Sequence, residues 1–170
     1  FVGMAHLNVK VRLKLDADLP TVFVDKIQIQ QILINLIRNA IEAMQETEKK
    51  ELQISTSRSD DGFVRVTVRD NGPGLPQPIR EKLFQPFVTT KEGGMGVGLM
   101  ICQSIIQLHG GSIEISPEEE PGTAFTFRLP LDENQARFLA MLSVFRGTFG
   151  LAAARYVTDT KDALRDLEAL

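Results

Sequence analysis

The strongest constraint on this chain is an ordered run of four short segments rich in asparagine or glycine. NLIRNAIEAM (Asn35 to Met44) comes first, on helix-patterned sequence, and the acidic turn DNGPG (Asp70 to Gly74) follows. GGMGVG (Gly93 to Gly98) then opens a second apolar helix, and a Gly122-Thr123 pair opens a late strand. Glycine at such places lets backbone approach a ligand without a Cβ in the way. Together the four describe a nucleotide pocket in which backbone replaces side chain. It is not a P-loop, because no GxxxxGK[ST] occurs in the sequence.

The remaining pattern says which elements carry these segments. Val9, Val11, Leu13 and Leu15 alternate with Lys10, Arg12 and Lys14, the period of a half-buried strand. Thr21 to Val24 reads as a short strand, and Asp25 as the N-cap of a long helix. Ile29, Leu33, Leu36, Ile37, Ile41 and Met44 recur on that helix at helical spacing, and Lys49-Lys50 is expected to close it. Leu52 to Arg58 and Phe63 to Arg69 alternate on either side of Ser59-Asp60-Asp61-Gly62, a hairpin signal. A short helix is expected at Ile79 to Phe84 and a second apolar helix at Val97 to Leu108, ended by His109-Gly110-Gly111. Ile113 to Ser116 and Ala124 to Leu129 form a last strand pair. From Asp132 onward strand signals cease, and Phe138, Leu142, Phe145 and Phe149 line one helical stripe. The fold class expected is α/β (α+β): a two-layer sandwich whose mixed, mostly antiparallel sheet carries helices on one face. The expected domain is 1–130, with a helical extension over 131–170.

Composition narrows the functions. The 170 residues suit one domain with an appendage, and 43% hydrophobic with 24% charged residues is ordinary for a soluble globular protein. A net charge of -3 argues against phosphate-backbone binding as the main business, so no nucleic-acid partner is expected. The single Cys102 excludes an internal disulfide and points to a reducing compartment. No apolar run reaches the roughly 20 residues of a membrane span. The opening at Phe1 without an initiator Met reads as a piece of something longer, expected to be cytoplasmic.

Asn35 and Asn39 lie four apart, so their amides share one helix face, with Arg38 beside them and Glu42 a turn after it. A neutral amide oxygen suits a hard cation such as Mg²⁺ while leaving room for phosphate oxygens. Asp70 ends a strand whose Val64, Val66 and Val68 are core-like, and a carboxylate there can accept from an exocyclic amine, which adenine presents. Free N–H groups at the helix start after Gly93 to Gly98 form an anion site, with Thr89, Thr90 and Lys91 adding hydroxyls and a cation. Each segment alone has a plainer reading: solvated amides, a β-turn, a loop. Phe84 and Phe87 read as hinge or lid-packing residues or as ordinary core, His109 as a helix-end residue, and His6 as unremarkable. No nucleophilic triad or zinc-ligand spacing is visible.

The stretch from about Asn8 to Pro130 resembles the catalytic ATP-binding domain of two-component sensor histidine kinases, within the Bergerat-type superfamily of gyrase, the ninety-kilodalton heat-shock chaperone and the mismatch-repair ATPases. NLIRNAIEAM is similar to the N box, DNGPG to the G1 box, LFQPFVTTK (Leu83 to Lys91) to the F box, GGMGVG to the G2 box and Gly122-Thr123 to the last glycine box. The wording is most similar to the nitrogen-regulation and oxygen-sensing branch. The resemblance implies ATP and Mg²⁺ as ligands, with Asn39 on the metal and Asn35 near the phosphates. It implies Asp70 on the adenine amine, Gly72 and Gly74 shaping the base pocket, and Thr123 on its base side. Gly94, Gly96, Val97, Gly98 and Leu99 belong to the lid region, and Arg38, Thr89, Thr90 and Lys91 to the phosphate end.

The resemblance also has limits. Such kinases phosphorylate a His followed by an acidic residue and a Pro on a helical hairpin, whereas His6 precedes Leu7-Asn8-Val9. The chain is expected to be the donor half, serving phosphoacceptor helices of a homodimeric parent that signals to a response regulator. A regulatory module that binds ATP without transfer, and a gyrase-type hydrolytic clamp, are the alternatives. The clamp needs a Glu base one turn before the metal-binding Asn, and that position is Asn35, an amide that cannot take a proton.

Overall fold

The computed structural model describes residues 9–88, 96–116 and 121–131. Thr89, Thr90, Lys91, Gly93 and Gly94, and nearly all of the expected extension, lie outside the described residues. Five strands form one sheet: β1 (Val9–Lys14), β2 (Lys50–Ser59), β3 (Phe63–Asp70), β4 (Ser112–Ile115) and β5 (Thr123–Pro130). Their order is β1-β2-β3-β5-β4, with β1 and β2 parallel and the other neighbours antiparallel. Helix α1 (Lys26–Ala43) connects the parallel pair, as a parallel pairing requires. Helix α2 (Gln77–Arg80) is short, and α3 (Gly98–Leu108) leads into β4.

Strand alternation decides which face is covered. Val64, Val66 and Val68 of β3 pair with Leu129, Phe127 and Phe125 of β5, and all are buried. Against that apolar face α1 presses Ile29, Ile32, Leu33, Leu36 and Ile37, and α3 adds Cys102, Ile105 and Ile106. Each large aliphatic side chain so buried contributes roughly 1.5–3 kcal/mol. The described helices sit on this face, and the other side of β3 offers Arg65, Thr67 and Arg69. The expected two-layer sandwich is the observed one.

Three boundaries differ from expectation. Thr21 to Val24 pairs with no strand; Val22 is buried, and the segment leads directly into α1. Helix α1 ends at Ala43, capped at Met44, and Lys50 begins β2 instead of closing the helix. The Ile79 to Phe84 helix is a single turn starting earlier, at Gln77, where Pro78 sits in the first turn and needs no N–H bond. At the hairpin, Gly62 takes φ +82, a conformation that costs an L-residue about 1–2 kcal/mol.

The Asp25 carboxylate caps α1 as expected, accepting from the N–H groups of Ile27 at 2.9 Å and Gln28 at 3.2 Å. Its own backbone N–H donates to Nε2 of His109 at 3.0 Å. Because Nε2 accepts there, the proton of a neutral imidazole resides on Nδ1, which donates to the Ile105 carbonyl at 2.8 Å. His109 therefore ties the start of α1 to the end of α3. His109→Ala is expected to cost about 1–2 kcal/mol, read as a lower denaturation midpoint. His109→Gln, which can bridge one side, should recover part of the loss.

Candidate functional site

The site end of the molecule is where β3 finishes, β5 begins, α1 ends and α3 starts. Asn35, Asn39 and Ala43 follow one another at four-residue steps along α1, about 6 Å apart. Each faces a different neighbour. Asn35 donates through Nδ2 to Sγ of Cys102 at 3.1 Å. Its amide also fills the space over Gly98, where an added Cβ would lie 2.8 Å from Oδ1. At the far step the Ala43 carbonyl approaches Gly72, whose Cβ would lie 3.1 Å from that oxygen. Asn39, half-buried and engaged with other groups, lies between the two along α1.

Gly98 thus has a structural reason that glycine spacing alone does not disclose: it lets the Asn35 amide seat against α3. Gly98→Ala is expected to push Asn35 off Cys102 and move the first turn of α3. The measurable result is a roughly five- to thirtyfold weaker nucleotide affinity, about 1–2 kcal/mol, with a smaller fall in stability. Cys102 is buried, and desolvation pushes its thiol above the usual range. It therefore acts here as a neutral sulfur acceptor, not as a nucleophile.

Asp70 is the most buried acid described, 3% exposed at the end of β3. Its Oδ1 accepts from the N–H of Gly72 at 2.9 Å and of Thr123 at 3.2 Å. A buried carboxylate is tolerated because charge-assisted bonds of this kind hold it. Gly72 is confined on two sides, with a hypothetical Cβ only 3.0 Å from Oδ1 and 3.1 Å from Ala43. Gly74 turns at φ +77. Gly122, at φ +123, passes so close to Asp70 that a Cβ would stand 2.0 Å from its carbonyl oxygen. Thr123 is buried and pairs with Asp70 across β3 and β5. Asn71, not singled out by its sequence, anchors the turn: Oδ1 accepts from Glu51 N–H at 2.8 Å, and Nδ2 donates to the Lys49 carbonyl at 2.7 Å. An Asn directly after an Asp that ends a strand is the turn signal that could have marked it.

Helix α3 opens at Gly98 after Val97, with no side chain capping its first turn and no acid within it. Its leading N–H groups therefore have no intrahelical acceptor and, among the described residues, no capping side chain. The loop that precedes it is pinched at its base. Phe87 N–H donates to the Gly96 carbonyl at 3.1 Å, Phe87 holds φ +65, and Gly96 holds φ +64. A Cβ on Gly96 would lie 2.7 Å from Phe87 backbone, so only glycine closes this neck. Phe87 itself is 80% exposed, which removes it from the core-aromatic reading, whereas Phe84 is half-buried against the core. Leu99 packs partly against the core. Arg38 is exposed and ion-paired with Glu42 at 2.8 Å, so its charge is directed along α1 as the structure stands.

The geometry strings these groups along α1: Gly98 at the start of α3 meets Asn35, Asn39 follows one turn on, and Gly72, beside Asp70 and Thr123, meets Ala43. The family described as histidine kinase-, DNA gyrase B-, and HSP90-like ATPase matches residues 24–133, and the chain belongs to it. Among curated relatives, it is 43% identical over 133 residues to the sensor protein FixL of Bradyrhizobium diazoefficiens, covering 78% of this chain and 26% of FixL. The chain thus spans about a quarter of that relative's length. Among solved structures it is similar to the catalytic domain of histidine kinase ThkA, with TM-score 0.66 and 38% identity over 75% of this chain and 82% of that one. Full-length ShkA in complex with AMPPNP is similar at TM-score 0.67 and 30% identity, over 79% of this chain and 28% of that one. The expected kinship to sensor histidine kinases is what these relatives bear out.

Proposed function

We propose that this chain binds Mg-ATP and donates the γ-phosphoryl group to a histidine on a separate phosphoacceptor helix of a two-component sensor kinase. The observation that carries the reading is the line of groups running from the uncapped start of α3, past Asn35 and Asn39, to Gly72 and the buried Asp70. Phosphates suit the free N–H groups of α3, and the adenine amine suits the Asp70 carboxylate. The stepped glycines admit the base between them. The resemblance assigns Lys91 to the phosphates and Gly94 to the lid, Thr89 and Thr90 add hydroxyls beside Lys91, and Gly74, Gly96, Val97, Leu99 and Thr123 complete the pocket wall.

Asn39 fits a hard cation: it is a neutral oxygen donor between the phosphate and base ends. Among the described residues no cluster of three or more His, Cys, Asp or Glu could hold a metal. Mg²⁺, when bound, would neutralise phosphate charge. The chain's own part is to orient the nucleotide, through Asp70 at the base and the start of α3 at the phosphates, and Asn35 supplies no base for water attack. ThkA has also been solved with a response regulator protein, which supports a response regulator as the downstream partner here. A homodimeric parent and a cytoplasmic site for this domain belong to the same proposal; no described helix is long and apolar enough to cross a membrane.

Calorimetry with ATP, with Mg²⁺ and with excess chelator, tests the binding half. Binding is expected with a preference for ATP over GTP, weakened at least roughly tenfold on removing Mg²⁺. Labelled γ-phosphate transferred to an added hairpin bearing the acceptor His tests the second half. Tight ATP binding with no transfer would favour the regulatory module.

A further inference from the structure

The sheet has a second face, and its charge is unlike that of the whole chain. Strand register places Lys10, Arg12 and Lys14 of β1, Arg65 and Arg69 of β3 and Arg128 of β5 on the side opposite the helices. Glu51 of β2 and Glu114 of β4 share that side. Six cations and two carboxylates on the strands, with Asp61 of the hairpin paired to Arg128 at 3.3 Å, leave this face at +3, while the full chain carries -3. Among the described residues no helix packs over it. Lys10 and Arg12 keep 66% and 49% of their side chains in solvent, and Lys14 and Arg65 are exposed.

The fill between the charges tells which polyanion suits it. Thr67 of β3, Thr126 of β5 and Ser116, just past β4, join in a hydroxyl chain of 2.9 and 3.1 Å. The aromatic ring on this side, Phe63, lies under the Arg128 guanidinium at 5.4 Å. A membrane-surface site needs apolar side chains to insert, and a single-strand nucleic-acid site needs open rings for stacking. Neither is offered here. Glu51, bonded by Arg12 at 3.0 Å, and Glu114 would also repel a continuous phosphate surface. They fit instead a mosaic partner whose carboxylates meet the arginines while its donors meet the glutamates. Arginine outnumbers lysine four to two, and its fork matches carboxylates two bonds at a time.

We propose that this open sheet face docks an acidic protein surface, at a place separate from the nucleotide pocket. A glutamate-rich peptide is the probe, titrated into the isotope-labelled 170-residue chain and followed by amide shifts. Shifts are expected on β1, β3 and β5 at outward positions, not at Asp70, Gly98 or Thr123. The double variant Lys14→Glu/Arg65→Glu should weaken binding roughly three- to tenfold, and Lys14→Gln/Arg65→Gln by less. Mg-ATP affinity and the denaturation midpoint should stay unchanged in both. Equal peptide binding by the charge-reversed chain overturns the proposal. So does tighter binding to phosphatidylcholine vesicles containing phosphatidylserine, or to duplex DNA, than to the peptide. Shielding of the outward amides from a soluble paramagnetic chelate in the free chain would also overturn it, because the chain's own residues would then cover the face.

Discussion

Asp70→Asn is expected to weaken ATP binding by roughly 10- to 100-fold in calorimetry while moving the thermal midpoint by less than about 5 °C. The separation follows from which oxygen does what. Oδ1 accepts from the Gly72 and Thr123 N–H groups, and an asparagine keeps that acceptor. In the proposed pocket the other oxygen becomes an NH₂ facing the adenine amine, donor against donor. Asp70→Ala is the contrast. It leaves two N–H groups unpaired beside a site that is 3% exposed, and each such loss costs about 1–3 kcal/mol. The alanine variant should lose stability and binding together. Should the asparagine variant bind ATP as tightly as the parent chain, Asp70 is a turn-forming residue only, and the base pocket lies elsewhere.

Gly122→Ala should be the most damaging single methyl in the described residues around the site, with a loss of at least about 3 kcal/mol in denaturant unfolding. Two costs add. The residue holds φ +123, outside the range L-residues adopt with ease, and the new Cβ would stand 2.0 Å from the Asp70 carbonyl oxygen. That oxygen belongs to backbone inside the β3–β5 pairing, so no rotamer change relieves the clash. Gly62→Ala is the matched control: its φ is +82, but nothing lies within 4 Å of the added carbon. It should cost only about 1–2 kcal/mol. If the two variants unfold at the same denaturant concentration, the close approach at Gly122 has been overestimated. Faster amide exchange at Thr123 in the Gly122 variant would locate the damage at the site.

The sandwich was legible because alternation and helical spacing are strong here. Val64, Val66 and Val68 announce one covered face, and Asp25 announces the start of α1 through a side chain that does cap it. Boundaries were less legible. Lys49 and Lys50 look like a helix end, yet Lys50 is drawn into β2 by pairing with Val9, a residue far back in the chain. Thr21 to Val24 is as apolar as a strand but finds no partner edge, since β1 already occupies that side of β2. The neck at Phe87 and Gly96 was invisible for another reason: it rests on backbone angles and one hydrogen bond between residues nine apart, not on any side-chain pattern.

The four segments by themselves determined the kind of pocket: glycine and amide at set places, an acid at a strand end, and no P-loop lysine. These are local choices, and local chemistry writes them into residue type. Only the tertiary structure decided what each group spends its capacity on. Asn35 is turned onto Cys102 and Gly98, and Oδ1 of Asp70 is occupied by Gly72 and Thr123. It also left the cationic side of the sheet without a described helix over it. Those outcomes depend on distances between residues remote in the chain, which become definite only when the two helices settle on one face of the sheet.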